Sequence, residues 1–600
     1  MASQQQRAAF LQRVQGLAGQ QKFSEAANLL STYLQAEPAD LESQWVYCQL
    51  LEKAQRFEEA LDAYLALAKH QTPVTVVSLE RALNLAVCFG FPQKGIGAGE
   101  RLTQANLATA NSWYQLGCLY SEINFLLSAK KCLVQAIDMC AVDEERAVYI
   151  QAYARACLNA GDFTEGRAKL RSLIDAGTAD SLTYTLNCAA TNYQDDISND
   201  EIFEEHKRYA EFVEARCTES PSHQIDAGRK LRIGFLSADF YSHSVAIFLK
   251  PLLENYDRSN WEVVCFSDVA KEDSVTEEIK ALVDHWHVCR PLDDNQVYDL
   301  VVASEVDVLI DLVGYFGESR AAVFARRAAP VQVTYLGYPN TTGLTAMDYR
   351  ITDTVADPVG MTERYHSETL ARLSGCFLCY QPKIDAPGIA PLPMLAASPT
   401  AVTFGSTNVL RKITDSMLDV WIAILKSVPK SRLIIKAQQL AEPEMAERLL
   451  SRMNEALGEK GRIEVLGWLP KRVHHLAFFE RIDIHLDTYP YTGTTTTFEA
   501  LWQGVPSVTM AGNNHCSRVG CSIMSAVSLE DWVANSIDEY IHIAVEKSKD
   551  PDALMEVRQK MRKQITSAGL IDGAAFAIKF QEAIHSMVEK VQNIESAEGA

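Results

Sequence analysis

The run RIGFLSADF at residues 232–240 is the first of several short β-rich segments that alternate with helical stretches. The others are WEVVCFSD (261–268), VDVLIDLVGY (306–315), PVQVTYLGYP (330–339) and DYRITD (348–353). Strands that alternate with helices predict a parallel sheet with right-handed crossovers. Residues 229–380 are therefore predicted to form one Rossmann-like lobe.

A second series of such segments predicts another lobe at residues 401–570. Its strands are AVTFGST, SRLIIKA, IEVLGW, IDIHLD and PSVTMA. Between the lobes, residues 381–400 are rich in Pro and Ala, which predicts a hinge without a helix or a central strand. Residues 571–600 are predicted to be a C-terminal helix and tail. Open α/β sheets bind ligands outside the carboxyl ends of their strands, so the active site is expected in the cleft between the lobes.

The N-terminal part of the chain carries a helical repeat. Phenylalanines recur with a spacing of 34 residues, at Phe23, Phe57, Phe91 and Phe125. This period is typical of tetratricopeptide (TPR) repeats, and NSWYQLGCLY at 111–120 fits their helix-turn-helix pattern. Four or five repeats are predicted in residues 1–180, the third degenerate because Lys94 replaces a small residue. Residues 181–228 are predicted to be a helical linker. The expected fold class is thus α + α/β, a TPR superhelix followed by two lobes.

Stacked repeats expose an extended concave surface, which predicts that the arm binds a protein acceptor. A purely structural arm, or homo-oligomer formation through the repeats, is the alternative. The formal net charge of -21 repels phosphate backbones and anionic lipid, so neither nucleic acid nor a membrane is an expected partner. The N-terminal segment has no apolar signal region. The 14 cysteines favour buried free thiols in a reducing, cytoplasmic compartment over zinc or disulfides.

The run GTTTTFEALWQGVP at 493–506 follows the strand IDIHLD and begins an amphipathic helix. Unpaired backbone N–H groups and threonine hydroxyls at a helix N-terminus are suited to a diphosphate. The candidate ligands are Thr494, Thr495 and Thr496, and Glu499 lies one turn further on, where it could accept from ribose hydroxyls. An ordinary helix cap is the alternative.

Each lobe has one further candidate, which lies after the first strand of that lobe. Lys412 could hold a leaving diphosphate, with a solvated lysine as the alternative, and His243 lies where catalytic groups are found, with a capping histidine as the alternative.

With these residues in place, the second half resembles the O-GlcNAc transferase and SPINDLY family of protein O-glycosyltransferases, more closely the SPINDLY branch, over residues 229–570. The matching motifs, in family order, are RIGFLSADFYSHS, APVQVTYLGYPNTTGL, MDYRITD, DPVGMTERY, GCFLCY, FGSTNVLRKIT, LDTYPYTGTTTTFEALWQGVPSVTMAG and SRVG. The resemblance implies a metal-independent GT-B glycosyltransferase that uses a nucleotide-sugar and no cofactor.

The resemblance also implies roles for individual residues. It makes His243 a catalytic candidate, assigns Lys412, Thr495 and Thr496 to the diphosphate, and assigns Glu499 to the ribose. His475 is expected to pack on the base, with Lys471 beside it; His474 is adjacent, so this assignment could shift by one position. Tyr315 receives no role.

The donor is the least determined feature. In the UDP-GlcNAc branch an arginine helps to read uracil at the position of Phe478, so a donor other than UDP-GlcNAc, such as GDP-fucose, is preferred. UDP-GlcNAc, or another activated sugar as in bacterial flagellin-modifying relatives, is the alternative. The alternative from another class is a TPR scaffold with inactive lobes, against which Lys412, His243 and the threonine run argue.

Overall fold

The computed structural model describes residues 4–70, 74–217, 225–226, 228–317, 319–382, 386–396, 401–467 and 472–598. By its internal contacts the chain divides into two compact units, Met1–Ala160 and Gly161–Ala600. None of the described helices is long and apolar enough to cross a membrane.

The first unit is a stack of helices. They are α1 (Gln4–Gly19), α2 (Phe23–Ala36), α3 (Leu41–Lys53), α4 (Phe57–Leu67), α5 (Val74–Phe89), α6 (Pro92–Gln104), α7 (Ala110–Glu122), α8 (Leu126–Met139) and α9 (Asp143–Ala160). Each helix packs on the next, and each periodic phenylalanine begins or directly precedes the second helix of a pair. Leucines such as Leu30, Leu61 and Leu83 form the buried core. The predicted helical repeats are confirmed.

The degenerate third repeat keeps its close helix contact through a neighbouring residue. Lys94 points outward and forms ion pairs with Glu58 and Asp62, at 3.0 and 2.8 Å. Gly95, the next residue, faces the paired helix so closely that an added Cβ would lie 2.3 Å from the Cβ of Ala86. The small residue is therefore displaced by one position rather than lost.

The second unit begins with three helices, α10 (Phe163–Asp175), α11 (Ser181–Thr191) and α12 (Asn199–Glu214). The predicted linker, residues 181–228, holds α11 and α12. A buried hydrogen bond of 2.7 Å between His206 Nε2 and the Tyr338 hydroxyl fixes α12 on the following lobe. Arg167 and Arg171 of α10 pair with Glu205 of α12, which holds these helices together.

The N-terminal lobe contains a parallel sheet of seven described strands, in the order β3-β2-β1-β4-β5-β6-β7. The strands are β1 (Leu231–Ser237), β2 (Trp261–Ser267), β3 (His285–Val288), β4 (Val308–Asp311), β5 (Val331–Thr334), β6 (Tyr349–Asp353) and β7 (Thr369–Leu373). The helices are α13 (Ser244–Asn255), α14 (Ser274–Lys280), α15 (Asp294–Ala303) and α16 (Ala321–Ala325). Strand residues such as Phe235 and Ile310 are fully buried because helices cover both sheet faces.

The stretch 381–400 departs from the prediction in one respect. It contains the one-turn helix α17 (Pro393–Ala396), where no helix was expected. The reason is that proline is tolerated at the first position of a helix, where its missing N–H would have no partner.

The C-terminal lobe has a second parallel sheet, whose described strands run in the order β10-β9-β8-β11-β12-β13. The strands are β8 (Thr403–Ser406), β9 (Arg432–Lys436), β10 (Ile463–Leu466), β11 (Ile484–Leu486), β12 (Ser507–Met510) and β13 (Val533–Ala534). The helices are α18 (Asp415–Ser427), α19 (Pro443–Leu457), α20 (Arg472–Ala477), α21 (Thr495–Trp502), α22 (Val519–Ala526), α23 (Ile537–Lys547) and α24 (Pro551–Ser567). The final helix, α25 (Gly573–Glu598), returns to the N-terminal lobe and packs on α13.

Both sheets have the strand order of a doubly wound fold, so the predicted pair of Rossmann-like lobes is confirmed. In such a sheet the order of successive strands reverses between the first strand and its neighbour on the other side, which leaves a crevice at their carboxyl ends. These positions are β1 and β4 in one lobe and β8 and β11 in the other.

Candidate functional site

His243 lies in the loop between β1 and α13. It is the N-cap residue of α13, and its Nδ1 accepts a 3.4 Å hydrogen bond from the Val245 amide. The same Nδ1 lies 3.5 Å from Oδ1 of Asp239, whose pKa is raised by burial and partly lowered again by His243. Nδ1 cannot accept from the Val245 amide and carry a proton at the same time. In the tautomer whose Nδ1 proton is directed at Asp239, in place of the amide contact, Nε2 is able to accept another proton. The capping alternative is therefore correct as geometry, and the side chain also lines the cleft.

Asp239 was not singled out in the sequence. It stands four residues before His243 in the same strand-end loop, and that spacing in SADFYSHS was the available signal. A carboxylate beside an imidazole orients the ring and stabilises its protonated form.

The threonine run begins α21 in a tightly packed turn. Gly493 donates its amide to Asp487 Oδ1 at 2.7 Å, and a Cβ at Gly493 would lie 2.6 Å from Thr496 Oγ1. Thr494, the N-cap residue, makes no side-chain capping hydrogen bond. Thr496 donates its hydroxyl to Asn408 Oδ1 at 3.0 Å, which connects this turn to the end of β8. The ordinary capping arrangement is absent at Thr494, and the helix N-terminus faces the cleft.

Lys412 contacts the residues that directly precede this turn. It ends a short 3₁₀ helix, Leu410–Lys412, and its Nζ donates to the Thr492 carbonyl at 2.8 Å. The ammonium lies 3.6 Å from the centre of the Tyr491 ring. Burial lowers the pKa of Lys412 to about 8, although Cys516 and Asp487 act in the opposite direction. The side chain is half-buried and is not a solvated surface lysine.

His475 and Glu499 meet directly. His475 Nε2 lies 2.9 Å from Glu499 Oε2, and the Lys436 ammonium contacts His475 Nδ1. An ammonium can only donate, so Nδ1 accepts and Nε2 carries the proton that is donated to Glu499. Burial lowers the pKa of Lys436 to about 8, against the attraction of Glu499.

Lys436 was missed in the sequence, although it is the last residue of β9, in the run SRLIIKA, just as Lys412 follows the strand run AVTFGST. A cation at the carboxyl end of a strand was thus the available signal. Lys471 lies outside the described residues, so its assignment beside His475 stays a prediction. Phe478 is buried in an apolar cluster with Ile434 and Phe479, outside the residues that line the cleft.

These side chains line two adjoining recesses that share His243, Asn408 and the start of α21. The larger, of about 620 Å³, also contains Thr407, Lys436, His475 and Glu499. The smaller, of about 300 Å³, contains Thr494 and Lys412 with Tyr193, Phe316 and Tyr491. The Thr407 hydroxyl is buried at the larger recess and has no hydrogen-bond partner among the described residues. A buried polar atom of this kind is expected where a ligand completes the site.

All the predicted site residues that the structure describes therefore lie together in this cleft: His243, Lys412, His475, Thr494, Thr495, Thr496 and Glu499. Among the described residues no group of three or more His, Cys, Asp or Glu side chains is arranged to hold a metal ion. Cationic groups and a helix N-terminus thus surround the point where the recesses meet, an arrangement suited to an anion.

Comparison with known proteins places both lobes in a known family. Residues 209–382 and 395–580 match the family model of glycosyl transferase family 41. A Petunia hybrida protein named probable UDP-N-acetylglucosamine–peptide N-acetylglucosaminyltransferase SPINDLY is 37% identical over 404 residues, which are 66% of this chain and 43% of that protein. The chain thus spans less than half the length of this curated relative.

More distant relatives carry the other family name. The Caenorhabditis elegans UDP-N-acetylglucosamine–peptide N-acetylglucosaminyltransferase is 24% identical over 486 residues, covering 62% of this chain and 42% of that one. The solved structure of a Thermobaculum terrenum O-GlcNAc transferase mutant is 31% identical and superposes with a TM-score of 0.79, covering 87% of this chain and 99% of that one. The family model alone matches more than half of the 600 residues, and the chain belongs to glycosyl transferase family 41, with its higher identities to relatives that carry the SPINDLY name.

Proposed function

We propose that this protein transfers a sugar from a nucleotide-sugar to a Ser or Thr hydroxyl of a protein acceptor. The observation that carries the proposal is that His243 and Lys412 line one recess together with the α21 N-terminus, and that His243 and this N-terminus also line the adjoining recess of His475 and Glu499. One recess is then available for the nucleoside and the other for the sugar.

In the proposed reaction the acceptor oxygen attacks the anomeric carbon while the bond from that carbon to the diphosphate oxygen breaks. His243 Nε2 takes the hydroxyl proton, and the Asp239 carboxylate stabilises the imidazolium that forms. The leaving diphosphate is neutralised by Lys412, the threonine hydroxyls and the backbone N–H groups at the start of α21. Preorganised positive groups of this kind commonly supply a large part of the barrier reduction. We propose that the reaction needs neither a metal nor a cofactor.

The nucleoside is assigned to the larger recess. His475 is oriented by Lys436 and Glu499, and the Glu499 carboxylate has lone pairs for ribose hydroxyls. Phe478 supports a donor other than a UDP-sugar, because a buried phenylalanine offers no hydrogen bond to a base edge. We therefore keep GDP-fucose or another non-UDP donor as the preferred proposal. The names of the relatives, which specify UDP-N-acetylglucosamine, support the alternative.

We also propose that the repeats of the first unit bind the acceptor polypeptide. A cytoplasmic location and self-association through the repeats stay predictions. The non-enzymatic alternative is a scaffold whose lobes bind no donor.

The test is a two-step experiment on the purified full chain. UDP, GDP and CMP are first compared for thermal stabilisation, since a ligand present at about a hundred times its Kd adds about 2.7 kcal/mol to the free energy of unfolding. UDP-GlcNAc and GDP-fucose are then supplied with acceptor protein from a lysate, and covalent sugar is measured by mass spectrometry. Stabilisation by one nucleotide together with transfer from its sugar supports the proposal. No stabilisation by any nucleotide and no transfer would favour the scaffold.

A further inference from the structure

The helical segment before the first lobe contributes a side chain to the cleft. Helix α11 ends at Thr191, and the next residue, Asn192, is held by both lobes. Its side chain donates to the Tyr338 hydroxyl at 3.0 Å and accepts from Asn340 Nδ2 at 2.9 Å. Its carbonyl accepts from the Cys516 thiol at 3.6 Å. These contacts fix the position of the following residue, Tyr193.

Tyr193 is a wall of the smaller recess. Its ring stacks almost parallel on Phe163, with centroids 5.4 Å apart, and lies 5.0 Å from the Tyr491 ring. The Arg411 guanidinium is 5.2 Å from the ring centre. Burial raises the pKa of the Tyr193 phenol, and Arg411 offsets part of that effect. Only 3% of the residue is exposed, so its orientation is fixed before any ligand binds.

The smaller recess differs chemically from the larger one. It shares the threonines and His243 but contains neither His475 nor Glu499, and its walls are aromatic, from Tyr193, Phe316 and Tyr491. At about 300 Å³ it is at the lower limit of typical ligand pockets, which run from about 300 to 1,000 Å³. A pyranose has an apolar C–H face that packs on aromatic rings and hydroxyls that meet polar groups at the edge.

We propose that Tyr193 packs against the transferred sugar and helps to select it. This inference rests on the proposed function, because it assigns the sugar to the recess beyond the diphosphate. It adds that the turn after α11, which belongs to neither sheet, takes part in donor recognition. The segment predicted as a linker is then one wall of the active site.

The experiment compares Tyr193→Ala and Tyr193→Phe with the unchanged chain, and uses Tyr184→Ala as a matched control. Tyr184 is on α11, the helix that ends two residues before Tyr193, but it packs on Tyr209 and Phe212, away from the recess. Calorimetry measures the affinities of UDP, UDP-GlcNAc, GDP and GDP-fucose, so that each nucleotide-sugar is compared with its own diphosphate.

For the nucleotide-sugar that binds the unchanged chain, Tyr193→Ala is expected to weaken binding at least about tenfold, equivalent to about 1.4 kcal/mol. The matching diphosphate should keep its affinity to within about twofold, a change well under 1 kcal/mol. Tyr193→Phe keeps the ring and should stay close to the unchanged chain, as should Tyr184→Ala.

Two results would overturn the assignment of Tyr193. Equal losses for the diphosphate and the nucleotide-sugar would show a structural role only, and unchanged affinities for both would show no role. If the unchanged chain binds none of the four ligands and CMP does not stabilise it either, the proposed function itself fails, and the assignment fails with it. That failure is seen without any variant, so the two cases are distinguishable.

Discussion

Nε2 of His475 lies 2.9 Å from Oε2 of Glu499, and the Lys436 ammonium contacts Nδ1 of the same imidazole. The three side chains come from α20, α21 and the end of β9, so three separate elements fix one imidazole in one tautomer. The Glu499 carboxylate is held in turn, which prepares it for a ribose. This arrangement predicts that the residues act as a unit in donor binding.

The first prediction tests that unit. His475→Ala and Glu499→Gln should each weaken nucleoside diphosphate binding, and the double variant should lose less than the sum of the two. Residues in direct contact typically show coupling energies of about 0.5–3 kcal/mol. Calorimetric titration of the four proteins measures the coupling, with the exposed Glu480→Gln as control. Strictly additive losses would mean that Glu499 contacts the donor independently of His475.

The second prediction concerns Lys412. Lys412→Ala should lower the turnover of transfer by on the order of a hundredfold or more, because the leaving diphosphate loses a preorganised cation. The melting temperature should change little, since among the described residues the half-buried side chain is paired only with a carbonyl and a ring. The exposed Lys426→Ala, on α18, is the control for removal of a lysine from the same lobe. Near-normal turnover in Lys412→Ala would refute its proposed role.

The third prediction is a pH dependence. Burial lowers the pKa of Lys412 to about 8, so its ammonium is present below that pH and is lost as the pH rises through it. A bound diphosphate favours the ammonium, and binding above pH 8 must therefore take up a proton. The Kd of the diphosphate should rise by up to about tenfold per pH unit above about pH 8, as proton linkage requires.

The control for this pH dependence is Lys412→Met. Lys436, whose pKa is also lowered to about 8, contacts His475 at the other recess. The pH dependence of Kd that remains in Lys412→Met is assigned to Lys436. The nucleoside without its diphosphate should show only this remaining pH dependence. An unchanged slope in Lys412→Met would remove Lys412 from the explanation.

The fourth prediction concerns the repeat arm. Deleting residues 1–160 removes the first compact unit and leaves the second complete, so nucleotide binding should persist while modification of the natural acceptor is lost. Deleting residues 1–180 also removes α10, including Phe163 behind Tyr193 and the arginines that pair with Glu205, and should lower stability as well. Thermal unfolding, nucleotide titration and acceptor labelling compare the two truncations. Acceptor labelling at the full rate after deletion of 1–160 would show the arm to be structural only.

The fifth prediction concerns the base. If no cation at position 478 reads uracil, GDP should bind at least as tightly as UDP. Discrimination by buried polar groups is worth about 1–3 kcal/mol for each group that the wrong base leaves unpaired. Direct titration of both nucleotides decides the question. UDP binding at least about tenfold tighter, a difference of about 1.4 kcal/mol, would establish the UDP-sugar alternative.

The sequence was sufficient for the repeats and the lobes because their signals are local. A 34-residue period and strands that alternate with helices do not depend on distant contacts. It was also sufficient to predict that His243, Lys412 and the threonines lie in one cleft. Each of these follows a strand, and the carboxyl ends of parallel strands meet at one edge of a sheet.

The tertiary structure alone decided which of these side chains touch. Lys436 and His475 are 39 positions apart, and His475 and Glu499 are 24 apart, so no local pattern predicts either contact. The sequence likewise left Tyr315 without a role. The structure buries it against His206 and Tyr338, with its hydroxyl donating to the Thr342 carbonyl.

The sequence by itself thus determined the order of the elements and the loops that carry chemistry, since periodicity and strand ends are properties of neighbouring residues. The direction in which each side chain points was decided only by packing. Phe478 faces the core rather than the cleft, and Tyr193 faces the cleft from a segment predicted to be a linker. Both orientations depend on contacts with residues far away in the chain, such as Ile434 for the first and Tyr491 for the second, and such contacts exist only after the lobes have folded.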